Sequence, residues 1–498
     1  MSLQIKPCNP RVQRAVLLMM RADNVSRQSM GPFLLRTLNR VLMPSGCRPW
    51  LGALMLLFGA GSAVAAEASR VTLKTLIETA QAQDPWIAGS FFRQAREEAF
   101  SRGAVGLPAP TVTLGMSNLP VNSFHFDQEP MTQFKLGVQQ RLPRGRTLEL
   151  TRQKFDQQGL KQMHSRAARK ADIVRRVSHL YLEVFRYEQM ASLIENDLSL
   201  FDQLIENALS QYTTGALGFH QQGVIQAQTQ RSRLIDRFNL ARQQQDQQYA
   251  ALSAWFGSDL AGDGLHFAGE LAQVFPVPAA ILIQDPAAKA QTLAQAFAAH
   301  PMVRGLDEGI NAAETETGLA AARSKAQWGL NASYGQRQDS ALGVERADFL
   351  SFGVSFDLPM INRRQQNSQV TAAIAAREGV KTDRALLLRQ IKSGYDLAEL
   401  NYGHLFVREQ HFASQLLKQV SEEAAASLAA YTTESGSFSD VLQASISGLK
   451  IKIDALNVEV DRYQSIVDLN YYLVALNPVM ALSVGATSLE ARSQRTVK

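Results

Sequence analysis

The chain has 498 residues, 46% of them hydrophobic and 19% charged, with a formal net charge of +6 and two cysteines. Ordinary apolar content with only 17 prolines and 32 glycines excludes a low-complexity disordered chain. A mean hydropathy of −0.13 and a single outstanding apolar run exclude a polytopic helical membrane protein.

That run lies near the start. Arg36, Arg40 and Arg48 precede Leu51–Ala60, which continues into small residues through Ala63 and Ala65. A cationic segment, a short apolar core and small residues define a secretory leader over residues 1–65. Eight of the 51 basic residues and one of the 45 acidic ones fall in this leader, leaving 43 against 44 in the remainder. The basic character therefore belongs to the leader, and no nucleic-acid footprint remains. Cys8 and Cys47 lie there too, so the secreted chain has neither a disulfide nor a thiol nucleophile.

The rest is a duplication. Asp84-Pro85-Trp86-Ile87-Ala88-Gly89 matches His300-Pro301-Met302-Val303-Arg304-Gly305, and Phe134–Val138, closing at Leu142-Pro143, matches Leu350–Val354, closing at Leu358-Pro359. Tyr212-Thr213-Thr214 and Val224–Ala227 find partners in Tyr431-Thr432-Thr433 and Val441–Ala444. The expected organisation is a first repeat over 66–257, a linker over 258–287, a second repeat over 288–476 and a tail over 477–498.

Each repeat opens with a helix, expected over Leu73–Arg102 and Gln291–Lys325. Two strands follow, with period-two alternation. Val112, Leu114 and Met116 share one face, and Phe134, Leu136 and Val138 oppose Gln133, Lys135 and Gln139. In the second repeat Trp328, Leu330, Ala332 and Tyr334 alternate with Gly329, Asn331, Ser333 and Gly335, and Leu350 through Leu358 alternate with Ser351, Gly353, Ser355 and Asp357. Strands of about 9–11 residues suffice to cross an outer membrane when tilted. Alternation alone equally fits a soluble sheet with one face on a core. A second face that is small, polar and poor in charge points instead to the wall of a water-filled barrel. Lys135, Gln139, Asn331 and Ser333 are the candidate lumen residues, with Trp328 and Tyr334 as candidates for an interfacial aromatic belt.

After each Leu-Pro the pattern turns helical for a long way. From Ile173 apolar residues step four and three through Val177, Leu180, Val184, Tyr187, Ala191, Ile194, Leu198, Phe201 and Ile205; Leu442 to Val467 keep the same beat. This is a coiled-coil seam. Uninterrupted helices are expected over about Thr147–Tyr212 and Arg364–Tyr431, each roughly 100 Å long at 1.5 Å per residue. Gly215 and Gly218, and Ser435-Gly436-Ser437, turn the chain, and the partner helices (about His220–Phe256 and Ser439–Leu476) return antiparallel. Four strands cannot close a membrane barrel, so closure requires several copies of the chain.

The duplicated order of helix, strand, strand and long hairpin, the two X-Pro helix starts, the strands ending in Leu-Pro and the tip Gly436–Leu442 together resemble the TolC-like outer-membrane efflux family. The fold class expected is α+β, with helical hairpins forming an α-barrel and four strands per chain. The resemblance implies a homotrimer with a twelve-stranded β-barrel in outer-membrane lipid and helices in the periplasm. It further implies docking to a periplasmic membrane-fusion adaptor and an inner-membrane pump. Leu119–Phe124 with Asp127–Met131 resembles members paired with resistance-nodulation-division pumps, including exporters of heavy metals. The first tip departs from the family pattern, with Gln222-Gly223 where the second has an acid before Val441.

Asp440 and Glu434 are candidates for a gate or constriction, since carboxylates repeated around a pore form a ring that attracts cations. Asp440 equally fits an ordinary acidic helix N-terminus. Gly215, Gly218, Phe219, Gly436 and Phe438 are the adaptor-contact candidates at the tips. No catalytic residue, metal site or cofactor is expected: Ser447-Gly448-Leu449-Lys450 sits inside a heptad helix without companion motifs, and the eight histidines form no ligand cluster. The alternative reading is a soluble periplasmic adaptor or structural coiled-coil protein.

Overall fold

The computed structural model describes residues 72–213, 221–256, 271–340, 342–433 and 436–476. The leader, Gly215, Gly218, Phe219, Glu434, the first part of the linker and the tail lie outside the described residues. Two helices open the first half, α1 (Leu73–Gln83) and α2 (Pro85–Gly103), where the sequence predicts one. The break is at Asp84-Pro85. Proline has no N–H to give and disfavours helical geometry in the residue before it, so α1 stops and α2 starts there. Asp84 adopts an extended conformation and its carboxylate accepts the free amides of Trp86 and Ile87. His300-Pro301 repeats this break between α5 (Pro286–Ala299) and α6 (Pro301–Ala322).

The strands are β1 (Thr111–Ser117), β2 (Gln133–Arg141), β3 (Trp328–Gln336) and β4 (Phe349–Phe356), somewhat shorter than expected. They form one antiparallel sheet in sequence order, so the two repeats pair through β2 and β3. Beyond β2 the chain turns at Gly145, whose φ of +51° lies where residues with a Cβ are strained. It then enters α3 (Thr147–Thr213), 67 residues long and about 100 Å at 1.5 Å per residue. α4 (Gln221–Ser253) returns alongside it.

The second long helix departs from expectation. α7 (Arg363–His411) gives way to a π-helical turn at Phe412–Leu416 before α8 (Leu417–Thr432). A π turn accommodates one extra residue and shifts the helical phase beyond it. α9 (Phe438–Tyr472) completes the hairpin.

Three buried clusters hold these helices together. The largest joins α1, the middle of α3 and α9 with Leu271 and Phe275. Part of residues 271–287 joins the core: Leu271–Val274 is helical, and Ala280 is buried in the cluster between α5, α7 and α9. The α3 seam is also broader than its four-three beat, because Val174, Ser178, Tyr181 and Leu182 are buried beside Ile173 and Val177. Helices pack on α3 from more than one side, so a wider stripe is covered than in a two-stranded coil. The third cluster lies toward the hairpin tips. No strand residue belongs to any of the three.

Candidate functional site: a two-faced sheet and a hairpin tip

Register decides what each face of the sheet presents. Val112↔Val138, Leu114↔Leu136 and Met116↔Phe134 pair across β1 and β2. Leu136↔Tyr334 and Val138↔Ala332 continue the band, and Trp328↔Phe356, Leu330↔Val354 and Tyr334↔Leu350 finish it. The result is a continuous apolar face on which no described residue packs: Leu114, Phe352 and Val354 are more than 60% exposed. A patch this large and this bare is the mark of an interaction surface. Trp328 packs against Phe356 at the helix-proximal end, with tilted rings whose centroids are 5.1 Å apart.

The opposite face carries every candidate lumen residue. Gln139 is in register with Asn331, Ser333 with Gly137 and Ser351, and Lys135 with Gly115 and Gly335. This face is crowded. A Cβ at Gly329 would sit 2.6 Å from Ser355 Oγ, and one at Gly353 2.7 Å from Asn331 Oδ1. Longer polar side chains thus lie over the glycines of the neighbouring strands on this face. Arg141 lies on the same face and was not among the sequence candidates. The two-residue period running on from Lys135 would have found it.

At the base of the sheet the two repeats are fastened to one another. Leu142 N donates to Trp328 O at 2.8 Å, and the Arg144 guanidinium bonds both Arg323 O, at 2.6 Å, and the Asp357 carboxylate. These partners are far apart in the chain, and no local pattern announces them. At the other end Arg346 donates to the carbonyls of Asp127 and Glu129, and Arg337 to that of Pro130, tying the β3–β4 loop to the β1–β2 loop.

At the tip, Ser437 and Asp440 form a reciprocal capping box. Asp440 N donates to Ser437 Oγ at 3.2 Å and Ser437 N to Asp440 Oδ2 at 3.3 Å. Asp440 therefore does have the helix-start role, and its carboxylate is exposed. Gly436 fits where a Cβ would stand 2.9 Å from Ala430 Cβ, so the turn is tight. Phe438 is not an exposed contact. It is 9% exposed, meets the Tyr431 ring at a tilt with centroids 5.9 Å apart, and packs with Val224 and Val441. Gly223 of the first tip lies against this ring, a Cβ there being at the ordinary contact distance of 3.5 Å from Phe438 Cδ1.

Ion pairs lock α3 to α9 between these two ends. Asp468 takes bonds from Arg175 at 2.7 Å and His179 at 2.9 Å. Burial raises its pKa, but the His179 and Arg175 contacts outweigh burial and hold the carboxyl below its usual range. Arg186 reaches Asp461 at 2.6 Å. Among the described residues no group of three His, Cys, Asp or Glu could hold a metal ion.

No family model matches the sequence, and no curated protein matches it. Solved structures do. The outer-membrane channel OprN is similar with a TM-score of 0.66 and 14% identity, over 80% of this chain and 89% of that one. The transmembrane channel CusC gives 0.66 and 16%, over 81% and 92%. The outer membrane protein VceC of Vibrio cholerae gives 0.64 and 15%, over 80% and 95%. The chain has the fold of these outer-membrane channel proteins, the TolC-like fold: mostly helical, with one small four-stranded antiparallel sheet.

Proposed function

We propose that the protein is the outer-membrane exit duct of a tripartite efflux system. It conducts passively what an inner-membrane pump, of the resistance-nodulation-division type, and a periplasmic adaptor deliver. The carrying observation is the sheet: a bare apolar face backed by a polar one, with both edge strands open. Lipid satisfies the first, water the second, and neighbouring copies the third. Three copies give a twelve-stranded barrel that runs through Leu142-Pro143 and Leu358-Pro359 into the long helices. A soluble adaptor would bury the apolar face of its sheet on a core of its own. The likeness to solved outer-membrane channels supports the same reading, as do the leader and the balanced charge of the secreted chain.

In this reading residues 66–257 and 288–476 are the two structural repeats, and the hairpin ends around Gly215, Gly218, Phe219 and Gly436 meet the adaptor. Asp440 caps α9 and, repeated three times with Glu434 nearby, rings the periplasmic entrance. The polar face with Lys135, Gln139, Asn331 and Ser333 lines the lumen. The test is fractionation followed by electrophoresis with and without heating, then planar-bilayer recording. A heat-modifiable trimer in the outer-membrane fraction with discrete conductance is expected, whereas soluble monomeric protein in the periplasmic fraction would overturn the assignment. Asp440→Asn should lower cation preference, and an unchanged selectivity would leave Asp440 with the cap alone.

A further inference from the structure

We propose that the β-barrel section of the duct favours anions, its two cationic rings standing in series with the acidic ring proposed for the hairpin tips, so that organic anions are the cargo class this section helps to pass. This deepens the exit-duct reading and rests on it.

The four strands contain no Asp, Glu or His. Their only side chains that carry a charge at neutral pH are Lys135 and Arg141. Both are on β2, both have the parity of the polar face, and both are exposed. Their in-register neighbours carry no charge: Lys135 lies between Gly115 and Gly335, and Arg141 lies beside Gly329. Neither takes part in an ion pair among the described residues. Two acids flank β4: Asp357 just past it is paired with Arg144, and Asp348 just before it has the parity of the apolar face and accepts from the Tyr334 hydroxyl and from Arg337 N at 2.9 Å. No carboxylate of the strands themselves offsets the two cations on the polar face.

Closure of three copies turns each cation into a ring. Six residues separate Lys135 from Arg141, roughly 20 Å along a strand. That exceeds the Debye length of about 8 Å at physiological salt, so a permeating species meets two separate cationic rings in succession. A surrounding wall of lipid focuses rather than dissipates their field. Charged rings of this kind set the sign of ion preference in pores. A divalent cation would pass both rings without meeting one strand carboxylate. An organic anion would be attracted at each, with the amides of Gln139 and Asn331 and the hydroxyls of Ser333 and Ser351 between them as hydrogen-bond donors.

The experiment is the reversal potential of the full-length protein in planar bilayers across a potassium chloride gradient. Wild type is compared with Lys135→Gln, Arg141→Gln and the double variant. The double variant should lower the chloride-to-potassium permeability ratio about two- to threefold near 0.1 M salt, and less at 1 M, where the Debye length shrinks to ~3 Å. Each single variant should account for part of the change. Identical reversal potentials for wild type and variants at low salt would overturn the proposal while leaving a working duct. Absence of any conductance from wild type would instead overturn the exit-duct reading. A measurement on wild type alone guards against poor assembly of the variants: hexacyanoferrate added on the loop side should reduce the current at 0.1 M salt, and an unaffected current counts against the cationic rings.

Discussion

Two single residues at matching positions in the repeats show how one backbone problem is solved by different chemistry. Asp84 caps α2 with one carboxylate oxygen and holds Arg169 with the other at 2.7 Å, and its side chain is almost wholly buried. Asp84→Asn keeps the cap but loses the charge pair, and should cost about 1 kcal/mol; Asp84→Ala loses both and should cost about 2–3 kcal/mol in thermal or denaturant unfolding. His300 caps α6 through Nδ1, which accepts from Met302 N at 3.3 Å, and its ring meets Tyr471 edge-on at 5.4 Å. Burial pushes its pKa down to about 4, against a smaller upward pull from the backbone of Tyr471. The unfolded chain protonates this histidine near 6.5 and the folded chain only near 4, so the unfolded state binds more protons in between. Stability contributed by His300 is therefore intact above pH 6.5 and falls as pH drops toward 4, by about 3 kcal/mol in all. His300→Asn retains a capping side chain without the titration. Its melting temperature should fall less steeply from pH 6.5 to 4 than that of wild type, and parallel slopes would exclude His300 as the source.

Among the elements, α7 shows most directly how packing assigns different roles to one residue type. A Cβ at Gly394 would lie 2.2 Å from the hydroxyl of Tyr472 and 2.4 Å from its Cζ, so α7 and α9 cross there with no space for a methyl group. Gly379 has nothing within 4 Å of the same position. Gly394→Ala should thus destabilise by about 1–3 kcal/mol through overpacking, while Gly379→Ala should stabilise by up to ~1 kcal/mol through helix propensity. Chemical denaturation of the two variants checks both signs. Sequence periodicity made the long helices, the strand faces and the hairpin order legible, because each depends on residues a few positions apart. Gly394 and Gly379 look alike by that measure, since what separates them is a side chain nearly eighty residues away. The π turn at Phe412–Leu416 escaped for a related reason: an apolar beat that slips by one residue looks the same as a noisy one. Phe438, placed at an exposed tip by the turn signal, is drawn inward by Tyr431 and Val224, contacts that only the closed hairpins supply.

For the molecule as a whole, the proposed closure by three copies makes a demand on the helices as well as on the sheet edges. α7 buries Ile391, Tyr395 and Ala398 against its own subunit. Leu386, Leu397, Leu400 and Val407 stay exposed, Leu397 and Leu400 at 61% and Val407 at 67%. At about 100° per residue these four fall within a stripe roughly 80° wide, on the side of the helix away from the buried three. A stripe of aliphatic side chains on a water-exposed helix is unfavourable to leave uncovered, at about 1.5–3 kcal/mol per side chain. In the proposed three-copy assembly a neighbouring subunit covers it. Substitution here separates assembly from folding, because side chains already exposed in the subunit contribute little to its own stability. Leu400→Asp combined with Val407→Asp should leave helical circular dichroism unchanged while shifting the protein in mild detergent from trimer to monomer, with the conductance lost alongside. Native mass spectrometry or light scattering reads the outcome. A trimer of undiminished stability in the double variant would show that α7 faces solvent in the assembly, and the subunits would then have to meet through other helices.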